Sequence, residues 1–282
     1  MQKITLETLK EFKFPKLEQA PSEYNKSNIF CFSHTHDFKL ITSNQEKYII
    51  GKNYRDKPVL TPLFTPKDNK IEGIISTMKK HSAILYPINA EWLPFFDETK
   101  FVMNNSEDDS DYVYLTNKLA EMSGRKLSKK RNLIKQITQN CTPIIKKITK
   151  TNIDDAKQVL EIWAERSAAS ADETDYLACL KGLDNFATLN LQGLIIYNDK
   201  KPMAMSFGEG VGDTFMLHFA KADIYCKGIY QLLFQETAKM LESKYTYINL
   251  EQDLGIPQLR QAKRSYIPEL MTTKHIISLK NH

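Results

Sequence analysis

The chain has 282 residues, 41% of them hydrophobic and 26% charged, which is typical of a globular protein with one large domain or two of ordinary size. No run approaches the roughly 18 apolar residues that cross a bilayer, and the first residues lack the apolar stretch of a secretion signal, so we expect a cytoplasmic protein. The four cysteines form no CxxC pair, which excludes a zinc knuckle or a dithiol redox motif. The net charge of +5 is mild, so its distribution matters more than its size.

The first part of the chain has the pattern of a mixed α/β lobe, which we place at residues 1–122. In chain order the sequence predicts a helix at Leu6–Phe14, strand-like runs at Ile29–Ser33, Lys39–Thr42 and Lys47–Gly51, a helix at Ile71–Lys80, a strand at Ala83–Tyr86 that Pro87 ends, a short helix at Glu91–Phe96, and an acidic loop at Asn104–Asp111 before a strand at Tyr112–Leu115.

The second part predicts a lobe at residues 141–282 with a clearer pattern. Its elements are a strand at Pro143–Thr149, a helix at Ala156–Arg166, a helix capped by Asp172 that reaches Phe186, strands at Gly193–Tyr197, Pro202–Gly208 and Thr214–Ala220, a helix at Ile229–Glu242, a strand at Tyr245–Leu250, a short helix from Pro257, and a last strand near Lys274–Ser278. This order is the topology of the GNAT acyltransferase fold, and the first lobe has room for a second, degenerate copy.

Six basic side chains are concentrated between the two lobes, on a predicted connecting helix at residues 123–140. They are Arg125, Lys126, Lys129, Lys130, Arg131 and Lys135, and we call this stretch the basic segment. At 100° per residue, Leu127, Ile134 and Ile137 fall on one apolar arc, which Lys130 and Arg131 flank.

The basic segment has two interpretations. It is either a solvated surface whose charge the acidic loop balances, or a cationic wall that binds phosphates. In the second case Arg131 is the first candidate for a bidentate contact, with a phosphate or with a buried carboxylate. The candidate binding residues are Arg125, Lys129, Lys130, Arg131 and Asn132.

A second polar cluster follows the predicted strand at Tyr245–Leu250. Glu251 and Asp253 are expected to point the same way because strand side chains alternate, and both are candidate catalytic residues. A carboxylate at a strand end is suited to act as a general base towards an amine or to hold a substrate ammonium. The alternative is a structural ion pair with a cation of the following helix. Further candidate binding residues here are Gln252, Arg260 and Lys263.

These two segments together resemble the phosphatidylglycerol lysyltransferase C-terminal domain family (domain of unknown function 2156). The resemblance is carried by LAEMSGRKLSKKRNLI at Leu119–Ile134 and by NLEQDLGIPQLRQAK at Asn249–Lys263, followed by Ser265-Tyr266-Ile267-Pro268. It implies an α/β fold of two GNAT-like lobes in tandem, related to transferases that use aminoacyl-tRNA. The members of this family that are membrane proteins transfer an amino acid from charged tRNA to a lipid headgroup. Because this chain has no membrane domain, a lipid headgroup is the less favoured acceptor.

The loop before the helix at Ile229–Glu242 helps to decide between coenzyme A and aminoacyl-tRNA as the donor. Coenzyme A enzymes of this fold use Arg/Gln-x-x-Gly-x-Gly/Ala there, whose backbone N–H groups bind the pyrophosphate. Here Gly228 fits, with Lys227 beside it, but Tyr225 and Tyr230 replace the first and last residues of the pattern. This favours aminoacyl-tRNA over acetyl-coenzyme A as the anionic donor, with Lys227 and Gly228 as the cofactor-binding candidates if a thioester is used.

Other candidate sites are weaker. His34 and His36 alternate in a predicted strand but have no third metal ligand nearby, so we expect no metal. His218 is interpreted as a core histidine. The thiol of Cys226 is a candidate for a lowered pKa because Lys227 adjoins it.

The leading hypothesis is an aminoacyl- or acyltransferase in which an amine attacks an activated ester, with an unknown acceptor. The alternatives are a non-catalytic GNAT-like module that binds an anionic ligand, and a coenzyme A-dependent N-acetyltransferase with a non-standard loop.

Overall fold

The computed structural model describes residues 1–17, 19–167 and 174–280, and the chain divides into two compact units. The first unit comprises Met1–Asp111, Gln252–Pro257 and Met271–His282, and the second comprises Tyr112–Glu251 and Gln258–Leu270. Each unit is therefore assembled from separate stretches of chain, whereas the lobes predicted at 1–122 and 141–282 are continuous.

The regular elements follow the chain in this order: β1 (Gln2–Lys3), α1 (Lys26–Phe32), β2 (Lys39–Ser43), β3 (Glu46–Lys52), β4 (Pro58–Pro62), α2 (Ile71–His81), β5 (Ile84–Asn89), β6 (Phe101–Asn105), β7 (Asp111–Leu115), α3 (Thr116–Glu121), α4 (Ser128–Asn140), β8 (Pro143–Lys147), α5 (Ile153–Arg166), α6 (Tyr176–Asp184), β9 (Gln192–Asn198), β10 (Lys201–Val211), β11 (Thr214–Ala222), α7 (Ile229–Leu241), β12 (Tyr247–Asn249), α8 (Pro257–Arg264), β13 (Leu270–Thr272) and β14 (Lys274–Leu279). Short 3-10 turns lie at Thr8–Glu11, Asp68–Lys70, Ala90–Phe95, Glu107–Asp109 and Arg125–Leu127.

The first unit is built on a seven-stranded sheet in the order β1-β2-β3-β4-β5-β14-β6. Strands β4 and β5 pair in parallel and α2 connects them, while the other neighbouring strands are antiparallel. Helix α2 places Ile71, Ile74 and Met78 on one face, and this face packs into the core of the unit. The last strand of the chain, β14, thus lies in the sheet of the first unit.

The second unit is built on a sheet in the order β13-β7-β12-β11-β10-β9-β8. Strands β11 and β12 pair in parallel, and α7 connects them. Strand β7 pairs with β12 in antiparallel orientation. On the other side of the sheet, β11 pairs with β10, β10 with β9, and β9 with β8, all antiparallel. Helix α7 buries Ile229, Leu232 and Leu233 in a core that also contains Ile137 of α4. The predicted fold class, two mixed and mostly antiparallel sheets flanked by helices, is confirmed.

Three predicted elements of the first unit differ from the structure. The helix predicted at Leu6–Phe14 is only a 3-10 turn at Thr8–Glu11. The run Ile29–Ser33 lies mostly in helix α1, because the side chain of Asn25 accepts the N–H of Asn28 at 2.7 Å and caps the first turn. Strand β5 also continues through Pro87 instead of ending there. The pairing of β14 with β5 shifts register at this point, so the missing N–H of proline falls in a gap of the ladder.

The histidines after α1 are consequently not on a strand. His36 stacks on Phe32 with ring centroids 5.7 Å apart, and burial lowers the pKa of its imidazole. Within the described residues no group of three metal-binding side chains occurs.

The elements predicted from residue 143 to residue 250 are present with small shifts at their ends. The proposed cap Asp172 lies outside the described residues. Across the described ranges, no helix has both the length and the apolar character needed to cross a membrane.

Candidate functional site in the second unit

The candidate site begins where strand β12 ends. After Asn249 the backbone turns, and Glu251 adopts a left-handed φ of 59°, a conformation that costs a non-glycine residue about 1 kcal/mol or more. Two contacts stabilise this turn. The buried side chain of Asn249 accepts the N–H of Glu251 at 2.7 Å, and Lys263 of α8 donates to the carbonyl oxygens of Leu250 and Glu251 at 2.6 and 3.0 Å. The position of Glu251 is therefore set by its neighbours.

The turned backbone directs the Glu251 carboxylate onto His218 of β11. Oε1 of Glu251 lies 2.7 Å from Nδ1 of His218, and Oε1 of Glu209 on β10 lies 3.4 Å from Nε2. The His218 side chain is 1% exposed, whereas the two glutamates are 17% and 19% exposed. A buried imidazole thus joins two carboxylates that reach the surface of the second unit.

The electrostatics of this triad favour a charged imidazole. Burial by itself lowers the pKa of His218, but the hydrogen bonds and charges of Glu209 and Glu251 outweigh it and raise the pKa to about 9. At neutral pH His218 is therefore an imidazolium between two carboxylates. It bridges the two carboxylates through both ring nitrogens.

An open cleft of about 500 Å³ adjoins the triad through Glu209. Glu209 and Gly210 line it from the end of β10, Gln192 from the start of β9, and Lys244 and Tyr245 from the loop before β12. The amide of Gln192 donates to the hydroxyl of Tyr245 at 3.2 Å. The lining is mainly polar and combines one anion, one cation and neutral hydrogen-bonding groups.

The basic segment forms a 3-10 turn and the first two turns of α4. Leu127 and Ile137 are buried, as the apolar arc predicts. Lys130 is half-buried with Nζ 4.0 Å from the ring centre of Tyr266, and burial lowers its pKa. The side chains of Arg125, Lys126, Lys129, Asn132 and Lys135 are exposed.

Arg131 binds main-chain oxygens. Its Nη1 donates to the carbonyl oxygens of Met122 and Gly124 at 2.6 and 2.7 Å, so it fastens the connection between α3 and α4. Gly124 occupies that connection with a φ of 85°. Within the described part of the chain, none of the six cations of the basic segment forms an ion pair.

The acidic loop is engaged within the first unit instead. Arg55 binds Asp108 at 2.9 Å and Asp109 at 3.4 Å, and the hydroxyl of Tyr54 donates to Asp109. These salt bridges give both aspartates a charged partner within the first unit.

Two of the predicted site residues, Gln252 and Asp253, also belong to the first unit. Gln252 Oε1 accepts a hydrogen bond from the fully buried Lys274, which pairs with Glu23 and Asp111 at 2.7 and 2.6 Å. The premise that Glu251 and Asp253 alternate on a strand is wrong, because β12 ends at Asn249.

Asp253 itself is buried, and its carboxylate accepts the N–H of Gly255 at 2.8 Å, which closes a tight turn. Arg260 and Lys263 lie on α8, and Lys263 contacts main-chain oxygens as described above.

The loop before α7 differs from a pyrophosphate-binding loop in its surroundings. Gly228 has a φ of 93°, and a Cβ atom at this position would lie 2.6 Å from the carbonyl oxygen of Leu133 on α4. Lys227 is exposed. The expected lowering of the Cys226 pKa is wrong, because burial and the neighbouring Cys141 raise it.

Sequence reasoning missed Glu209 and the pairing of His218. The available signal was the parallel pairing of the strands before and after α7, which brings His218 next to the end of β12. Glu209 carries no local signal, because a register shift between Phe207 and Glu209 changes the face on which later residues of β10 fall.

Comparison with known proteins decides the family. Residues 14–277 match the model of the family described as phosphatidylglycerol lysyltransferase, C-terminal. The chain belongs to this family. The resemblance seen in the two sequence motifs is therefore confirmed, and with it a domain of the acyl- and aminoacyl-transferase type.

Individual relatives agree with this assignment. An uncharacterized protein of Mycoplasmoides gallisepticum is 22% identical over 258 residues, covering 84% of this chain and 82% of that protein. A conserved protein of unknown function from Bacteroides thetaiotaomicron has a similar structure, with a TM-score of 0.84, 24% identity and 99% coverage of both chains. The structure of L-PGS from Bacillus licheniformis has a TM-score of 0.62 and 14% identity, covering 100% of this chain and 94% of that one. These likenesses support the fold.

Proposed function

We propose that this protein transfers an aminoacyl group from aminoacyl-tRNA to an amine. The observation that carries the proposal is the basic segment in a chain of this family. No aspartate or glutamate occurs between Glu121 and Asp154, and this stretch carries nine cations, among them the exposed Arg125, Lys126 and Lys129. Cations without local carboxylate partners are available to bind the phosphates of RNA. This binding is favourable because it releases the counterions of the phosphates.

The loop before α7 supports tRNA rather than coenzyme A as the donor. A pyrophosphate site needs open space above the glycines so that their backbone N–H groups reach the phosphates. A Cβ atom at Gly228 would lie 2.6 Å from the carbonyl oxygen of Leu133, so α4 packs closely on this loop. The proposed donor therefore contacts α4, and acetyl-coenzyme A is not required.

The chemistry proposed for Glu251 is proton acceptance. The amine nitrogen attacks the ester carbonyl carbon, the bond from that carbon to the ribose oxygen breaks, and the proton lost by the amine passes to the Glu251 carboxylate. The ribose oxygen leaves with a proton from solvent. Glu251 suits this role because its backbone turn and the His218 imidazolium hold the carboxylate in one orientation. Of the two predicted catalytic carboxylates, the proposal uses Glu251, since Asp253 is committed to a turn.

The first test is the salt dependence of tRNA binding. We expect the dissociation constant for bulk tRNA to rise with salt, and the triple variant Arg125→Ala, Lys126→Ala, Lys129→Ala to lower the slope of log K against log salt by about two to three. Lys200→Ala with Lys201→Ala is the matched control, because both lysines are exposed, Lys200 in the turn before β10 and Lys201 as the first residue of that strand. An equal loss of slope in the control, or tight binding of coenzyme A with no binding of tRNA, would contradict the proposed donor.

The second test is transfer itself. Charged tRNAs are supplied one at a time with a mixture of primary amines, and the release of labelled amino acid from tRNA is measured. We expect release that depends on the amine, and a fall of about 10²–10⁴-fold in rate for Glu251→Gln. Binding of tRNA without release for any charged species would identify a binding module instead.

A further inference from the structure

Tyr225 lies in the loop between β11 and α7, where coenzyme A enzymes of this fold carry the first residue of their phosphate-binding pattern. It is 76% exposed, and among the large apolar side chains of the described residues only that of Met1 is more exposed. We infer that the Tyr225 ring stacks on an unpaired base near the 3′ end of the donor tRNA. This inference rests on the proposed function, since it names the part of the tRNA that this loop binds.

Asp223 fixes the backbone that presents Tyr225. The buried carboxylate of Asp223 accepts the N–H of Tyr225 at 3.1 Å, and its carbonyl oxygen accepts the N–H of Cys226 at 3.0 Å. The N–H of Asp223 itself donates to the carbonyl oxygen of Met203 on β10 at 2.9 Å. A loop held in this way loses little further entropy when a ligand binds.

Arg166 of α5 supports the tyrosine ring. Its guanidinium carbon lies 5.1 Å from the centre of the ring, and its Nη1 pairs with the carboxylate of Asp223. The pair of Arg166 and Asp223 has no net charge, so Arg166 contributes a flat surface instead of attracting an anion. Aromatic rings and guanidinium planes are the surfaces on which unpaired bases stack. With Arg166 beside it and most of its side chain exposed, Tyr225 has room for one base.

Other cations next to the loop are available to bind phosphates. Lys227 is exposed and forms no ion pair within the described residues. Helix α4 packs on the same loop, where Gly228 adjoins the carbonyl oxygen of Leu133, and Lys135 is exposed two residues further along α4. The loop thus continues the cationic surface of the basic segment. This continuity favours an RNA strand over an uncharged aromatic ligand.

The spacing along β11 agrees with an RNA strand that ends at Glu251. His218, which contacts Glu251, lies four residues before Ala222, the last residue of β11. Four residues of a strand span about 13 Å, which is the length of a few nucleotides. Because Tyr225 lies beyond Ala222, a terminal ribose at Glu251 places an earlier nucleotide at the tyrosine ring. The stacked base is therefore expected to be one of those that precede the terminal base.

The test measures the coupling between Tyr225 and individual bases of a short RNA. The probe is the tetranucleotide ACCA, labelled at its 5′ end, and the matched probes carry an abasic residue at one position each. Dissociation constants for the full chain and for Tyr225→Ala are measured by fluorescence anisotropy. We expect Tyr225→Ala to weaken binding of intact ACCA by about 5- to 100-fold. At one position before the terminal nucleotide, removal of the base should cost as much in the native protein and nothing further in Tyr225→Ala.

Tyr225→Phe and Ile224→Ala are the matched controls. Tyr225→Phe keeps the ring and should retain the affinity for ACCA within about twofold. Ile224 is the neighbouring side chain of the same loop and is 44% exposed, but it has no ring, so Ile224→Ala should leave the affinity unchanged. All three variants change exposed side chains and are expected to fold. Equal losses for Tyr225→Ala and Ile224→Ala would overturn the inference, and so would additive losses at every abasic position.

The outcome separates this site from the proposed reaction. Coupling at Tyr225 without transfer from any charged tRNA would retain the stacking site and remove the reaction. Transfer together with unchanged binding of ACCA in Tyr225→Ala would retain the reaction and remove this site. Binding of coenzyme A that depends on Tyr225, with no coupling to any base of the RNA, would overturn both the inference and the proposed donor.

Discussion

His218 and Glu251 are joined by a contact of 2.7 Å between Nδ1 and Oε1, although 33 positions separate them in the chain. The contact exists because β11 and β12 run in parallel and the chain turns sharply after Asn249. It converts a buried histidine into a cation and a strand-end glutamate into an oriented carboxylate.

The first prediction concerns the pH dependence that follows from His218. Its pKa is about 9 in the folded state and 6.5 when exposed, so the folded state binds the proton more tightly. This contribution to the free energy of unfolding is complete below pH 6.5 and is lost as the pH rises to about 9. We expect the loss to reach about 3 kcal/mol at most. ¹⁵N NMR titration of the imidazole checks it directly.

The matched variants for this prediction are Glu251→Gln and Glu236→Gln. Glu251→Gln removes one charged partner of His218 and should lower the pKa of His218. Glu236 lies on α7 and is not one of these partners, so Glu236→Gln should leave the pKa of His218 unchanged. A pKa near 6.5 in the native protein would show that the imidazole is not held between two carboxylates.

The second prediction concerns the turn that carries Glu251. Asn249→Ala removes the buried acceptor of the Glu251 N–H and leaves this donor without its bond, so we expect a loss of about 1–3 kcal/mol in the free energy of unfolding. The pKa of His218 should fall as well, because Glu251 is then less well placed. Urea unfolding measures the first effect and NMR the second. Asn140→Ala, at the exposed end of α4, should change neither.

The third prediction concerns the buried Lys274 network of the first unit. Burial raises the pKa of Glu23 to about 7, with Lys274 opposing the shift and Asp111 adding to it. Between pH 4.5 and pH 7 the folded state therefore holds a proton that the unfolded state has released. The free energy of unfolding should fall as the pH rises from 4.5 to 7. Glu23→Gln should flatten that part of the profile.

Glu46→Gln serves as the control for Glu23. Glu46 also pairs with a lysine in the first unit, Lys70, but it is 26% exposed, and the slope between pH 4.5 and pH 7 should persist in this variant. Chemical unfolding measured at several pH values separates the two. An identical profile for native protein and Glu23→Gln would exclude Glu23 as its origin.

The fourth prediction concerns Gly228, where a left-handed backbone and a close contact coincide. Gly228→Ala introduces a methyl group 2.6 Å from the Leu133 carbonyl oxygen at a φ of 93°, and should destabilise the chain by about 2–4 kcal/mol. Gly212→Ala has a φ of 62° with no atom within 4 Å, so it should show the backbone cost alone, about 1 kcal/mol. Equal melting temperatures for both variants would mean that α4 does not pack against Gly228.

The elements of the second half could be predicted well because their signals are local. Helix α7 has apolar residues at helical spacing, and the hairpin of β9 and β10 contains a turn sequence at Asn198-Asp199-Lys200-Lys201. The run at Ile29–Ser33 failed for the opposite reason. Its composition is that of a strand, but one cap at Asn25 and the packing around it decide for a helix.

The sequence by itself determined the family, the fold class and the identity of Glu251 as a candidate carboxylate, because motifs and hydrophobic periods are properties of neighbouring residues. Only the tertiary structure decided that Glu251 meets His218 and Glu209, that Arg131 binds main-chain oxygens, and that the acidic loop pairs with Arg55 and Lys274. The physical reason is that charged side chains choose partners by distance in space. Strand pairing and backbone turns set that distance across tens or hundreds of residues.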